Sequence, residues 1–354
     1  MNSRRDFIKK AGLSAILLTQ PGLFACSSKG KEEVSDSTPF IKTRKVIIAW
    51  EDLTLDWASL AHKAGLTTLG ITVAEGVKSS EKWQKFLKDC RKYNIEIEHD
   101  QHAMGQLLPR NLFEKNPEMF RMNEKGERVP DYNCCAHSAP ALKIIRENVV
   151  KDMELNKSTT GRYFFWLDDG GERCFCPLCK DYSDSDQALI IENEIVKALK
   201  QEDKRNTLAH LAYQRTIKAP EKVKPEEGIF LQFAPFQRTW NFPITHPTAK
   251  REDVDIKNAD YIEHLENNLK VFPVETAEVL EYWLDDSLFS DWKKPAVKLP
   301  WKKEIFQQDV EAYAKRGIRQ IVSFAVYIDQ DYANKYQDIS FINEYGDFLK
   351  HYKP

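Results

Sequence analysis

Eight short apolar runs, each of strand length and separated by stretches of helical period, constrain this chain more than any other feature. They are KVIIAW (45–50), TTLGITV (67–73), IEIEHD (95–100), YFFWLD (163–168), TLAHLAY (207–213), IFLQFAPF (229–236), EVLEYWL (278–284) and RQIVSFAVYI (319–328). Amphipathic segments at 55–64, 80–93, 140–154, 186–202, 260–270 and 304–316 lie between most of them, and 340–352 closes the chain. Such alternation is the pattern of βα units around a parallel sheet. Eight units in one chain of this length favour an α/β fold of the single (β/α)₈ TIM-barrel type over a doubly wound sheet. The fifth and sixth runs are joined by a stretch rich in Pro and Lys, so one outer helix is expected to be missing or irregular there.

Charge and composition narrow the function. Of 354 residues, 42% are hydrophobic and 30% charged, which excludes a disordered chain and a multi-span membrane protein. Residues 1–25 read as an export signal, with Arg4, Arg5, Lys9 and Lys10 ahead of an apolar run too short to span a bilayer. Ser-Arg-Arg-x-Phe is similar to a twin-arginine signal, and Leu23-Phe24-Ala25-Cys26 to a lipobox that would acylate Cys26. Residues 26–40 form a polar tether and 41–354 the barrel. The expected place is the cell envelope, on the periplasmic or outer-membrane side, with a lipid anchor in the membrane. The leader carries +3 of a total charge of −2, leaving −5 on the rest, which gives no electrostatic reason to seek nucleic acid.

In a barrel of this kind chemistry is built at the carboxyl ends of the strands. Those ends here carry Trp50, Glu75, His102, Asp168, Asp169, Tyr213, Arg238, Trp240 and the stretch Glu281 to Asp286. Rings that stack on pyranose faces, beside charged groups that bind hydroxyls, equip a mouth for carbohydrate. Glycosidic cleavage needs a carboxylic acid held protonated and a second carboxylate across the sugar. Glu281, inside the apolar run Val279 to Leu284, is the first candidate acid, and Asp169, Asp168 or Asp285 the second group. A Glu paired with an arginine for structural reasons is the alternative reading of Glu281. Arg238 would bind a uronic carboxylate or hold one of these acids in place. Trp50, Tyr213, Trp240, Tyr282 and Trp283 would position the sugar.

Six cysteines follow Cys26, and Cys174-Phe-Cys176-Pro-Leu-Cys179 places three thiols within six residues. Three so close converge more easily on one ion than on one another. Cys134, or its neighbour Cys135, is the source of a fourth ligand, giving a structural Cys₄ zinc that would clip the 103–139 loop to the 170–180 loop. Disulfides are the competing reading for an exported chain. No organic cofactor is expected.

Asn116-Pro-Glu-Met-Phe120 with Gly126 and Arg128, Cys134 ahead of Ala139-Pro140-Ala141-Leu142, and the Asp-Asp-Gly-Gly turn before Cys174 resemble the exported bacterial barrels of domain-of-unknown-function family 4838. Ala234-Pro235-Phe236-Gln237-Arg238 and Leu280-Glu281-Tyr282-Trp283 extend the resemblance over about residues 45–330. It implies a fold similar to the barrels of alpha-glucuronidases and beta-hexosaminidases and a carbohydrate substrate. Hexosaminidase barrels place Asp-Glu after the fourth strand where this chain has Asp168-Asp169, which puts substrate-assisted chemistry in doubt. The leading expectation is a lipid-anchored glycoside hydrolase acting on oligo- or polysaccharide. Two others stand beside it: a non-catalytic glycan-binding lipoprotein, and a metal-dependent sugar isomerase or lyase using Glu75, Asp100 and His102.

Overall fold

A computed structural model describes residues 39–72 and 76–354. The leader, Cys26, nearly all of the tether and Glu75 lie outside the described residues. The eight apolar runs become nine parallel strands: β1 (Thr43–Ala49), β2 (Thr68–Thr72), β3 (Glu96–Glu98), β4 (Asp100–His102), β5 (Arg162–Trp166), β6 (Thr207–Tyr213), β7 (Ile229–Ala234), β8 (Glu278–Glu281) and β9 (Gln320–Phe324). Their order is β3-β2-β1-β9-β8-β7-β6-β5-β4. β3 and β4 are halves of the third run, separated only by His99, so the sheet curls into a nearly closed barrel whose two ends are one broken strand.

Helices cover the outside at the expected places: Trp57–Ala64, Glu81–Tyr93, Ala139–Leu155, Asp184–Glu202, Asn258–Asn268, Lys303–Ala314 and Ser340–His351. Their starts have local causes. Ser80 accepts the Trp83 N–H, Pro140 occupies the first turn of its helix, and Ser183 with Asp186 forms a reciprocal capping box. No α-helix connects β6 to β7, only the single 3₁₀ turn Gln214–Thr216. That connection is held instead by Asp186, whose Oδ1 accepts the N–H groups of Glu221, Lys222 and Val223 at 2.8–3.0 Å.

Side chains pointing into the barrel form layers. Lys45, Glu98, Asp100, Arg162 and Glu278 make a buried ionic layer toward the amino ends of the strands. In it Lys45 reaches Glu98 and Asp100, both at 2.8 Å, and Arg162 reaches Glu278 at 2.8 Å. Burial, with the Glu98 charge beside it, pushes the Asp100 carboxyl up to about 7 against the pull of Lys45. Gly70 makes the layer sterically feasible, since a Cβ there would lie 2.3 Å from Asp100 Oδ2 and 2.6 Å from Lys45 Cε. Above it Ile47, Phe164, Phe230, Leu280 and Val322 form an apolar plug, and the barrel opens beyond that.

Candidate functional site

The mouth is a cavity of about 210 Å³ at the carboxyl end of the barrel. Six rings line it in a continuous arc: His102, Trp166, Phe324, Tyr282, Phe236 and Tyr213, with successive centroids 5.1–6.3 Å apart. The strands place them by alternation. Glu278, Leu280 and Tyr282 point into the barrel, whereas Val279, Glu281 and Trp283 pack toward the helices. Asp169 and Asp285 line the same cavity.

Asp169 reaches the mouth because β5 has ended before it. Gly170 takes a φ of 61°, and the Gly171 N–H closes the turn on the Asp168 carbonyl at 3.1 Å. Asp168 diverges into a recess beside β5, where Arg110 pairs with its carboxylate and Asn133 Oδ1 accepts its N–H at 2.9 Å. Burial raises its carboxyl although Arg110 pulls it down. Asp285 is 6% exposed. Burial pushes its carboxyl up to about 6, opposed by the Ser287 hydroxyl, which donates to Oδ1 at 2.6 Å. Tyr213 and Tyr282 are both held above the usual phenol range, first by burial and then by the charges around them, Asp169 and Asp285 included. Two carboxylates and two phenols therefore share one small space, with Asp285 and Tyr282 buried in it and Asp169 exposed at its rim.

Glu281, the expected acid, does not reach that space. It is fully buried on the outward side of β8, with Oε1 accepting Arg238 at 2.6 Å and the Tyr313 hydroxyl at 2.5 Å, and Oε2 accepting the Trp240 indole N–H at 3.0 Å. Arg238 is equally buried and reaches Asp309 at 2.8 Å, which also takes the Trp283 indole N–H at 2.9 Å. Burial raises both acids against the pull of the Arg238 guanidinium, and at Glu281 the Asp309 charge adds to the rise. Glu281 is thus paired with an arginine away from the mouth, and Arg238 and Trp283 belong to the same buried network rather than to the cavity lining. Trp240 lines a groove beside the mouth. Trp50 packs partly buried at the turn after β1, away from the cavity lining.

A metal cluster of Glu75, Asp100 and His102 does not form from the two described members. Asp100 is locked in the ionic layer, while His102 faces the mouth with Nδ1 against the Leu167 carbonyl. Among the described residues one metal-competent group gathers: Cys135, Cys174, Cys176 and Cys179, their sulfurs all within 4.8 Å of one another. Cys135 replaces the expected Cys134, because neighbours in extended backbone point to opposite sides and only one can face the cluster. The Cys134 thiol lines the recess by Asp168. Cys135 Sγ lies 3.7 Å from both Cys176 and Cys179 Sγ. That matches the roughly 3.8 Å edge of a tetrahedron with metal–sulfur bonds of about 2.3 Å and is far beyond the roughly 2.05 Å of a disulfide.

Phe236 closes the sixth apolar run and so stands at a strand end, whereas sequence reasoning missed Trp166, Phe324, Ser287 and Trp292 at the mouth. The strand-end rule would also have reached Trp166; Trp292 lies deep in a loop with no pattern to mark it.

A family model described as "Domain of unknown function (DUF4838)" matches residues 29–340. No curated protein matches the chain. Among solved structures it is similar to a beta-galactosidase from the psychrophilic Marinomonas ef1, with 11% identity and a TM-score of 0.49 over 87% of this chain and 59% of that one. It is also similar to YKL-39, solved with chitooligosaccharides (9% identity, TM-score 0.48, 88% and 100% covered). A third is an alpha-amylase from Lactobacillus plantarum (9%, 0.44, 88% and 80%). The chain spans less than two thirds of the beta-galactosidase.

Proposed function

The chain belongs to the DUF4838 family of domains of unknown function, and we propose that this member is a carbohydrate-active barrel, a glycoside hydrolase acting on an oligo- or polysaccharide. The observation that carries the reading is that Asp169 and Asp285 line one ring-walled cavity at the carboxyl end of the barrel. A sugar ring there would stack on the arc formed by Tyr282, Phe236 and their neighbours. Asp285, with its carboxyl at about 6, retains its proton well above the usual carboxylate range and serves as the acid that protonates the leaving oxygen. Asp169 then serves as base or nucleophile on the other side of the bond.

The test is a hydrolysis screen on oligosaccharides, repeated with Asp285→Asn and Asp169→Asn. Each substitution is expected to lower the rate by about 10²–10⁴-fold while thermal unfolding stays near that of the parent protein. The parent rate should fall as pH rises through about 6, where Asp285 loses its proton, and that limb should vanish in Asp285→Asn. Full activity in both variants defeats the assignment. Tight binding without cleavage replaces it with a glycan receptor.

The four sulfurs of Cys135, Cys174, Cys176 and Cys179 fit a structural zinc. With all four positions taken by thiolates the ion would have no open site for substrate. It would clip the loop before the Ala139–Leu155 helix to the loop after β5.

A further inference from the structure

Beside the mouth lies a larger groove of about 440 Å³, and the two share Phe236 and Trp292 in their linings. Trp292 is 59% exposed, an unusual position for so large an apolar surface. Its loop is also strained: Asp291 and Trp292 take φ values of 50° and 54°, a left-handed pair without glycine. The conformation is held from both sides, since the Trp292 N–H donates to the Ser287 carbonyl at 2.7 Å and its carbonyl accepts the Tyr327 hydroxyl at 3.2 Å. Strain that the surroundings fix in place at the edge of a cavity points to a side chain positioned for use. Across the groove stand Trp240 and two cations, Arg251 and Lys302. Lys302 leans on the Asn241 side chain, and Arg251 holds Asp253, which is 61% exposed, through Nε at 2.9 Å and Nη2 at 2.5 Å. The pair lies toward solvent, and the fork it occupies is the one an incoming carboxylate or sulfate would take over from Asp253. Asp291 is the carboxylate in the lining and is solvent-exposed. Arg238 touches the same groove but is committed to Glu281 and Asp309.

We infer that this groove is an outer subsite for the next unit of a glycan whose first unit occupies the mouth, and that it favours an anionic sugar bearing a carboxylate or a sulfate. Trp292 is the platform at the junction, and Arg251 and Lys302 receive the anion, the guanidinium in bidentate fashion. The inference rests on the sugar-binding reading of the mouth and adds to it a minimum chain length and a charge.

The experiment measures affinity by calorimetry for three series of one to four units: oligogalacturonides, sulfated oligosaccharides and neutral xylo-oligosaccharides. Affinity is expected to rise at least tenfold from one unit to three in an acidic series and to exceed the neutral series at equal length. Whichever acidic series gains identifies carboxylate or sulfate as the source. Trp292→Ala should cancel the gain with length, and Arg251→Gln with Lys302→Gln should bring the acidic chains down to the neutral ones. Affinity independent of length, or equal for acidic and neutral chains, overturns the subsite while leaving the mouth as a sugar site. Failure of every series to bind removes the sugar reading and the subsite together.

Discussion

Glu281 and Arg238 show what a buried charge in a strand is for when it does not face the site. One guanidinium lies between two carboxylates, and Tyr313, Trp240, Trp283 and the Ile244 N–H supply the remaining donors. Removing the cation leaves two acids without compensation in a dry environment. Arg238→Met is therefore expected to cost about 3–5 kcal/mol in urea unfolding. Glu281→Gln, which keeps the shape and most of the donors, should cost less and leave the pH dependence of any hydrolysis unchanged. A shift of that pH profile in Glu281→Gln would return the residue to the chemistry. The sequence could not orient Glu281, because strands of a parallel barrel are covered on both faces and EVLEYWL shows no alternation to separate inside from outside. Glu278, three residues earlier, points inward to the ionic layer. Asp168 and Asp169 were more legible, since a glycine pair announced where the strand ended.

At the scale of elements the same covered strands were an advantage, because continuous apolar runs of strand length stand out between helical stretches. All eight runs and all seven long helices lie where the periodicity put them. The short helices Asp286–Phe289 and Gln330–Tyr336 carry too few residues to show a period. The absence of an α-helix between β6 and β7 was also readable from its prolines and lysines, but what replaces it was not: one carboxylate, Asp186, borrowed from the preceding helix. Burial opposes its ionisation, yet the N–H groups of Val223 and Lys222 and the Ser183 hydroxyl outweigh it and hold the carboxyl below the usual range. A lowered folded value means stability that is present above about pH 4, the ordinary Asp range, and lost as pH falls through the lower folded value. Asp186→Asn is expected to cost on the order of 3 kcal/mol at neutral pH and progressively less in acid. Hydrogen exchange should show 217–228 losing protection first. Equal protection in parent and variant would mean the connection is held by its other contacts.

Across the whole molecule the two ends of the barrel are built for different tasks. The ionic layer of Lys45, Glu98, Asp100, Arg162 and Glu278 closes the amino end, and the mouth lies beyond the apolar plug. The two loops beside β5, 103–138 and 167–182, have little helix or sheet of their own, and from them Asp169 reaches the mouth. They are joined by Arg121, which pairs with Asp131 at 2.6 Å and Glu172 at 3.1 Å, by Asn133 against Asp168, and by the four thiols. Arg121 is buried and holds Asp131 through two bonds, and the Phe175 N–H reaches the Met122 carbonyl at 2.8 Å, so a zinc ion held by the four thiols would be a further fastening on the same loops. The purified protein is expected to hold one zinc per chain by elemental analysis. Chelation, or Cys176→Ser, should lower the unfolding temperature on the order of 5–10 °C. Cys135→Ser should release the metal and Cys134→Ser should keep it, because only the Cys135 thiol joins the cluster. Because Asp169 stands at the start of the clipped loop, metal loss should weaken substrate binding in step with stability without moving the pH at which the rate falls, which under the proposed function is set by Asp285 on the turn after β8. Zinc retained in Cys135→Ser, or a metal-free protein with unchanged melting, would assign the cluster to packing alone.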